Sequence, residues 1–200
     1  MPVLGITGGI ATGKSTFVRA FLGRLPARLF DADACARDLL ENDSEVRERL
    51  HETFGLNRPN VEPGAERAWL REVVFSDAAK RRQLEAILHP VIRERWVVQA
   101  RECAVAGGWF CVDIPLLFET GAESYFDRII VVACSGERQR ARLREDRGLD
   151  ESMSEKIIAS QLDLGLKITK ADHLIWNDST ISNLEGQTAL LATYLSARYG

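Results

Sequence analysis

The stretch Gly8-Gly9-Ile10-Ala11-Thr12-Gly13-Lys14-Ser15 constrains the fold of this chain more than any other. Two glycines bracket four residues, and a lysine and a serine follow at once. Glycine lets the backbone turn successive N–H groups inward around an anion. Val3 to Thr7, just ahead, is a short apolar run that reads as a buried strand. Behind the loop, Phe17, Val18, Phe21, Leu22 and Leu25 recur at helical spacing, so a helix over Lys14 to about Leu25 presents its N-terminus to the loop. Unsatisfied N–H groups and the helix dipole favour phosphate there. The Lys14 ammonium then reaches the β- and γ-phosphates of a nucleoside triphosphate, the Ser15 hydroxyl ligates Mg²⁺, and Thr16 bonds the α-phosphate. A chance glycine-rich turn is the competing account, arising in roughly one chain in a hundred of this length from average residue usage. The strand before and the helix after decide against it.

Arg28 to Asp31, Trp109 to Val112, Ile129 to Ala133 and Leu174 to Trp176 read as further short strands. They alternate with helical segments and lack polar alternation, the pattern of parallel strands covered on both faces. The expected fold is α/β: three layers, α/β/α, around a parallel five-stranded sheet. From Ala34 to about position 90 there is no strand of sheet character. That region reads as helical, punctuated by Asn42-Asp43-Ser44 and by the loop Asn57-Arg58-Pro59-Asn60. Glu66 to Leu88 is helical with a break near Ser76-Asp77, and His89-Pro90 breaks the chain again before a helix over Val91 to Val105. It is an insertion between sheet strands rather than a linker. Leu184 to Tyr199 is a closing helix.

At 200 residues, the chain suits one compact domain with an inserted subdomain. A net charge of −3 provides no global field toward nucleic acid or anionic membrane. No apolar run approaches the length of a membrane span, and the first residues lack the basic and apolar regions of a signal peptide. Cys35, Cys103, Cys111 and Cys134 form no CxxC pair, and His51, His89 and His173 lie far apart, which argues against structural zinc. Cys111 and Cys134 lie in apolar runs and read as small buried hydrophobes. A cytoplasmic protein with reduced thiols is the simplest account.

Three further groups bear on chemistry. Asp31-Ala32-Asp33 follows the second strand, where groups past the strand ends of an open parallel sheet face the ligand crevice. One carboxylate there can accept the proton of an attacking hydroxyl, while the other caps the next helix; Asp33 is preferred for the base. Asp113 ends an apolar strand, which suits holding Mg²⁺ through water, or equally capping a helix that begins at Pro115. The apolar residues after it, Leu116 among them, can wall an acceptor pocket. Arg138, Arg140, Arg142, Arg144 and Arg147 cluster on one helical stretch. Arginine stabilises a transferring phosphoryl group and suits a lid over a nucleotide, but most of these side chains read as a solvated face. No aromatic residues are interleaved with them, against a nucleic-acid role.

Taken together, several phrases resemble the dephospho-CoA kinases, phosphate-loop kinases related to nucleoside monophosphate kinases. They are Gly5-Ile6-Thr7-Gly8-Gly9-Ile10 running into Thr12-Gly13-Lys14-Ser15-Thr16; Asp31-Ala32-Asp33 with Ala36-Arg37; Leu88-His89-Pro90 with Ile92; Asp113-Ile114-Pro115-Leu116-Leu117-Phe118-Glu119; Gln139 with Arg142-Leu143; Gln161; and Lys167 with Ala171-Asp172 and Ile175-Trp176-Asn177. The match runs in order along nearly the whole chain.

The resemblance implies a P-loop kinase core over about 1–32, 91–137 and 167–200, a helical acceptor-binding insertion over about 33–90, and a lid over about 138–166. It implies ATP-dependent phosphorylation of the ribose 3′-hydroxyl of dephospho-coenzyme A, with Mg²⁺ as cofactor, by a monomer or weak oligomer. Asp33 would be the general base, Lys14 the phosphate anchor and Arg142 the catalytic lid arginine. ATP is expected at Gly9, Ala11, Thr12, Gly13, Lys14, Ser15 and Thr16, with Asn177 near the adenine. The acceptor is expected at Asp33, Arg37, His89, Asp113 and Leu116, and the metal at Ser15 and, through water, Asp113.

The chain departs from the family pattern at Ala11, where glycine is usual and which is tolerable if the backbone needs no positive φ. It departs again at Asp146 and Ile157, where arginine is usual, and at Glu66-Arg67, where Asp-Arg is usual. A nucleoside monophosphate or other small-metabolite kinase would share the loop, lid and sheet. A guanine-nucleotide switch would usually carry an Asn-Lys-x-Asp phrase, which this chain lacks.

Overall fold

The computed structural model describes residues 1–55 and 77–200. The expected loop at 57–60 and the helical reading of 66–76 lie outside the described residues. The strands are β1 (Val3–Gly8), β2 (Ala27–Asp31), β3 (Trp109–Asp113), β4 (Arg128–Ala133) and β5 (His173–Trp176). The helices are α1 (Lys14–Leu22), α2 (Ala32–Asn42), α3 (Ser44–Phe54), α4 (Ala78–Val105), α5 (Gly136–Arg147), α6 (Glu151–Ala159), α7 (Leu164–Thr169) and α8 (Ile181–Tyr199). By their packing these elements divide into two units, Met1–Phe30 with Ala100–Gly200, and Asp31–Gln99.

In the first unit the strands form one sheet of order β2-β3-β1-β4-β5. β1 runs parallel to both β3 and β4, and β4 parallel to β5. The alternation along β4 shows how both faces are covered. Ile130 and Val132 join Leu4, Ile6 and Cys111 against Phe17, Val18 and Phe21 of α1 and Leu184, Leu191 and Leu195 of α8. Ile129, Val131 and Ala133 take the opposite face with Leu117, Phe118 and, from α7, Leu164 and Ile168. The result is the expected three layers. Phe17 and Phe21 are fully buried and stack with ring centroids 5.2 Å apart; such burial stabilises by about 1.5–3 kcal/mol per side chain. The Cys111 and Cys134 thiols are buried in this core, which pushes their pKa up to about 12 and about 11 and leaves them protonated. α1 ends at Leu22, three residues short of the expected end, and the chain turns through Gly23 so that Leu25 still reaches the core.

In the second unit, Leu39, Val46, Leu50, Ile87 and Leu88 form a separate core, flanked by Leu84, Val91 and Ile92. The break expected at His89-Pro90 does not occur: α4 runs unbroken through Pro90. An interior proline removes one helical hydrogen bond and costs about 3 kcal/mol. Apolar positions 84, 87, 88, 91 and 92 keep one helical face through the proline, and their burial outweighs that loss. By packing, this unit ends at Gln99, within α4. Between α2 and α3 the chain breaks at Asp43, as expected. Its carboxylate accepts from the Val46 N–H, and both it and Asp38 pair with Arg95 of α4, at 2.9 and 2.7 Å. Among the described residues no helix is long and apolar enough to cross a membrane.

Candidate functional site

The loop between β1 and α1 depends on close approach. A Cβ at Gly8 would meet the Val132 carbonyl of β4 at 2.3 Å, so only glycine lets β1 end against β4 there. Gly13 has φ 89°, and a Cβ on it would meet the Asn177 amide nitrogen at 2.1 Å. Ala11 also has positive φ, 57°. The tolerance expected for alanine at this position rested on a φ that is not positive, and the structure overturns it. A left-handed non-glycine residue costs about 1–2 kcal/mol. Ala11→Gly relieves that strain but loosens the unfolded chain by about 0.4–1 kcal/mol. The net expectation is a gain of about 0.5–1 kcal/mol, or a rise in melting temperature of about 1–4 °C for a chain of this size. A thermal melt showing no rise contradicts it.

A shell of side chains grips the loop from one side. Thr12 Oγ1 donates to the Gly9 carbonyl at 2.8 Å. Gln139 Nε2 donates to the Ile10 carbonyl at 2.8 Å, and the Ile10 N–H donates to Gln161 Oε1 at 2.8 Å. Arg142 donates to the carbonyls of Ala11 at 3.0 Å and Asn177 at 2.8 Å. Asn177 Nδ2 donates to the Thr12 carbonyl at 2.9 Å. The arginine-rich helix α5 turns Gln139, Arg142 and Leu143 inward at i, i+3 and i+4, while Arg138, Arg140, Arg144 and Arg147 are exposed. Arg140 pairs with Glu155, and Arg144 with Glu145. Arg142 alone of the cluster therefore reaches the loop, through backbone carbonyls.

At the C-terminal ends of β1 and β3 the sheet brings Lys14 and Asp113 together, and their side chains form an ion pair in which both are 14% exposed. The helix weighed as beginning at Pro115 does not form. Residues 115–121 run as turns, with the Thr120 N–H donating to the Leu116 carbonyl at 3.0 Å, so Asp113 caps no helix and its carboxylate faces the loop lysine. Leu116 is half-buried in that turn. Ser15 and Thr16 are exposed in the first turn of α1. The oxygen donors of Ser15 and Asp113 match the preference of Mg²⁺ for a few hard protein ligands, with phosphate and water completing its shell.

Lys167 had no role assigned from sequence. It is fully buried, and its ammonium reaches Glu119 at 2.8 Å and the carbonyls of Pro115 and Gly8 at 3.2 and 3.4 Å. Glu119 also accepts from the Leu162 N–H. The signal was present: Leu164, Lys167 and Ile168 fall at i, i+3 and i+4, which puts the lysine on the apolar face of α7.

Asp33, Arg37 and His89 belong to the other unit. Asp31 is the N-cap of α2, accepting from the Ala34 N–H at 2.8 Å. Asp33 stands exposed in the first turn of α2, and Arg37 is exposed one turn later. His89 is half-buried in α4, and burial lowers its pKa against the opposing pull of Glu85.

A parallel α/β sheet with a phosphate loop between β1 and α1, and a loop lysine against a strand-end aspartate, defines a phosphate-loop kinase. The family model for dephospho-CoA kinase matches residues 2–183, and the chain belongs to that family. The dephospho-CoA kinase of Gloeobacter violaceus is 38% identical over 188 residues, covering 92% of this chain and 88% of that one. Among solved structures, TT1252 from Thermus thermophilus aligns with a TM-score of 0.76 at 29% identity, over 99% of this chain and 98% of that one. Dephospho-CoA kinase from Campylobacter jejuni aligns with a TM-score of 0.74 at 27% identity, over 98% of each chain.

Proposed function

We propose that this chain transfers the γ-phosphoryl group of ATP to the ribose 3′-hydroxyl of dephospho-coenzyme A, giving coenzyme A and ADP. The observation that carries the reading is the Lys14–Asp113 pair beside the phosphate loop, in a chain matched to the dephospho-CoA kinase family over residues 2–183. Loop N–H groups and Lys14 bind the β- and γ-phosphates, with Ser15 and Thr16 at the start of α1. The acceptor oxygen attacks the γ-phosphorus in line, a new O–P bond forms, and the bond to the ADP oxygen breaks. Asp33 takes the acceptor proton, a role supported by its exposure while Asp31 serves the cap. Ser15 and, through water, Asp113 would hold Mg²⁺, which would supply charge neutralisation to the transferring phosphates. Acceptor binding is assigned, on the family resemblance, to the insertion 33–90 with Arg37 and His89, and separately to Leu116 and Asp113. Segment 138–166 serves as the lid, and Asn177 borders the nucleotide. The protein works in the cytoplasm as a monomer or weak oligomer.

Coupled measurement of ADP release with dephospho-coenzyme A and a panel of nucleoside monophosphates tests the assignment. Preferential turnover of a nucleoside monophosphate overturns it. Asp33→Asn is expected to lower kcat by about 10²–10⁴-fold. ATP affinity should hold within about 2-fold, because the base acts only on the acceptor. Near-normal turnover in that variant removes Asp33 from the role.

A further inference from the structure

A phosphate loop binds anions only if its peptide planes are oriented with N–H groups toward the ligand and carbonyls away. In this chain each carbonyl from Gly8 to Gly13 has a donor. Lys167 takes Gly8, and the Thr12 hydroxyl takes Gly9. Gln139 takes Ile10, Arg142 takes Ala11, and Asn177 takes Thr12. The N–H groups of Thr16 and Phe17 take Gly13 at 3.1 Å. In a trans peptide the carbonyl of one residue and the N–H of the next point in opposite directions. Donors at Ile10 and Thr12 therefore turn the N–H groups of Ala11 and Gly13 away from those side chains, while the Thr12 N–H closes a turn onto the Gly9 carbonyl at 3.4 Å.

We infer that these side chains are a harness that sets the polarity of the phosphate loop, and that Gln139 is a positioning residue for the nucleotide. Gln139 contributes most specifically. Gln139 is 4% exposed, and a Cβ on Gly9 would approach its Nε2 to 2.8 Å. Gly9 has no positive φ, and a side chain there would press on the Gln139 amide and on Thr12 Cγ2 at 3.2 Å. Together with Gln161, Gln139 satisfies both polar groups of Ile10, pairing with that residue as a neighbouring strand would. Arg142 belongs to the same harness: it acts through the loop backbone and positions the phosphates indirectly. The inference rests on the ATP-binding reading above and adds the groups that make the loop competent.

The test reads ADP affinity by calorimetry on the full chain, with no acceptor present, alongside thermal melts. Gln139→Met keeps the volume and removes the donor. It is expected to weaken ADP roughly 10-fold at every pH, because the Ile10 carbonyl is left without its partner. The KM for ATP should rise in parallel, with kcat at saturating ATP within about 3-fold of the parent. Gln139→Glu places a carboxylate against that carbonyl at pH 8 and should bind more weakly than the methionine variant. At pH 5 burial favours its protonated form, which donates an O–H to the Ile10 carbonyl. Its affinity should then exceed that of Gln139→Met at the same pH. A Gln139→Met protein that binds ADP like the parent overturns the inference, and so does a glutamate variant no better than methionine at pH 5. Should Gln139→Met fail to fold, the half-buried Gln161→Met carries the test, and parental ADP affinity there overturns the inference. A parent protein that binds no ADP strikes at the nucleotide reading itself and is distinguishable from both outcomes.

Discussion

Lys14→Ala is expected to lower kcat/KM for ATP by about 10²–10³-fold, the usual cost of removing one charge-stabilising donor from a transferring group. Both parameters should move. In the proposed role the ammonium binds the phosphates in the ground state, so its loss raises KM, and it meets charge that shifts during transfer, so its loss lowers kcat. The structure adds a second consequence. Lys14 is paired with Asp113, so the alanine variant leaves a half-buried carboxylate beside the phosphate loop without that partner. Negative charge there repels the nucleotide. The double variant Lys14→Ala, Asp113→Asn should therefore recover part of the nucleotide affinity but little of the turnover, because in the proposed mechanism the aspartate also holds Mg²⁺ through water. Steady-state kinetics and ADP calorimetry on the three variants separate these effects. Parental kinetics in Lys14→Ala show that the loop is not the working site.

Much of this site is legible in sequence because its components are local. The strand, the glycine spacing, the lysine and the helix start lie within a single short segment, and backbone geometry fixes their relation. Asp113 was legible through its place at the end of an apolar strand, since a parallel sheet gathers strand ends on one side. The side-chain harness was not legible as such. Gln139, Gln161 and Lys167 are each remote in sequence from the loop peptide groups they bind, and no local rule pairs a glutamine with a peptide group more than a hundred residues away. The arginine cluster reads in sequence as mostly a solvated face, and four of its five side chains are exposed. Helical spacing decides which residues face inward, and that face carries Gln139 and Arg142 among several solvated arginines. Pro90 misled, because local propensity predicted a break that the apolar face on either side of it overrides. Ala11 shows a third kind of limit: its identity was plain, but its positive φ is a property of the folded loop.

Lys167→Met is expected to be the most destabilising single change proposed for this chain, by about 2–3 kcal/mol, because a fully buried ammonium is lost from two carbonyls and from a carboxylate that keeps some access to water. For a chain of this size that corresponds to a fall in melting temperature of about 4–12 °C. The lysine is fully buried, and its removal strips Glu119 of its cation and the Gly8 and Pro115 carbonyls of a donor. Glu119→Gln should cost less, since the amide can still accept from the Leu162 N–H and Glu119 is less buried than its partner. The double variant Lys167→Met, Glu119→Leu decides what the pair is for. If it serves only cohesion, replacing both charges by apolar groups should recover most of the lost stability and full ADP affinity, as buried ion pairs elsewhere tolerate such exchange. If the ammonium also orients the Gly8 carbonyl at the base of the phosphate loop, stability should return while ADP affinity stays reduced. A single Lys167→Met variant that melts within about 1 °C of the parent contradicts the stability prediction, because the Gly8 carbonyl would lose its buried donor.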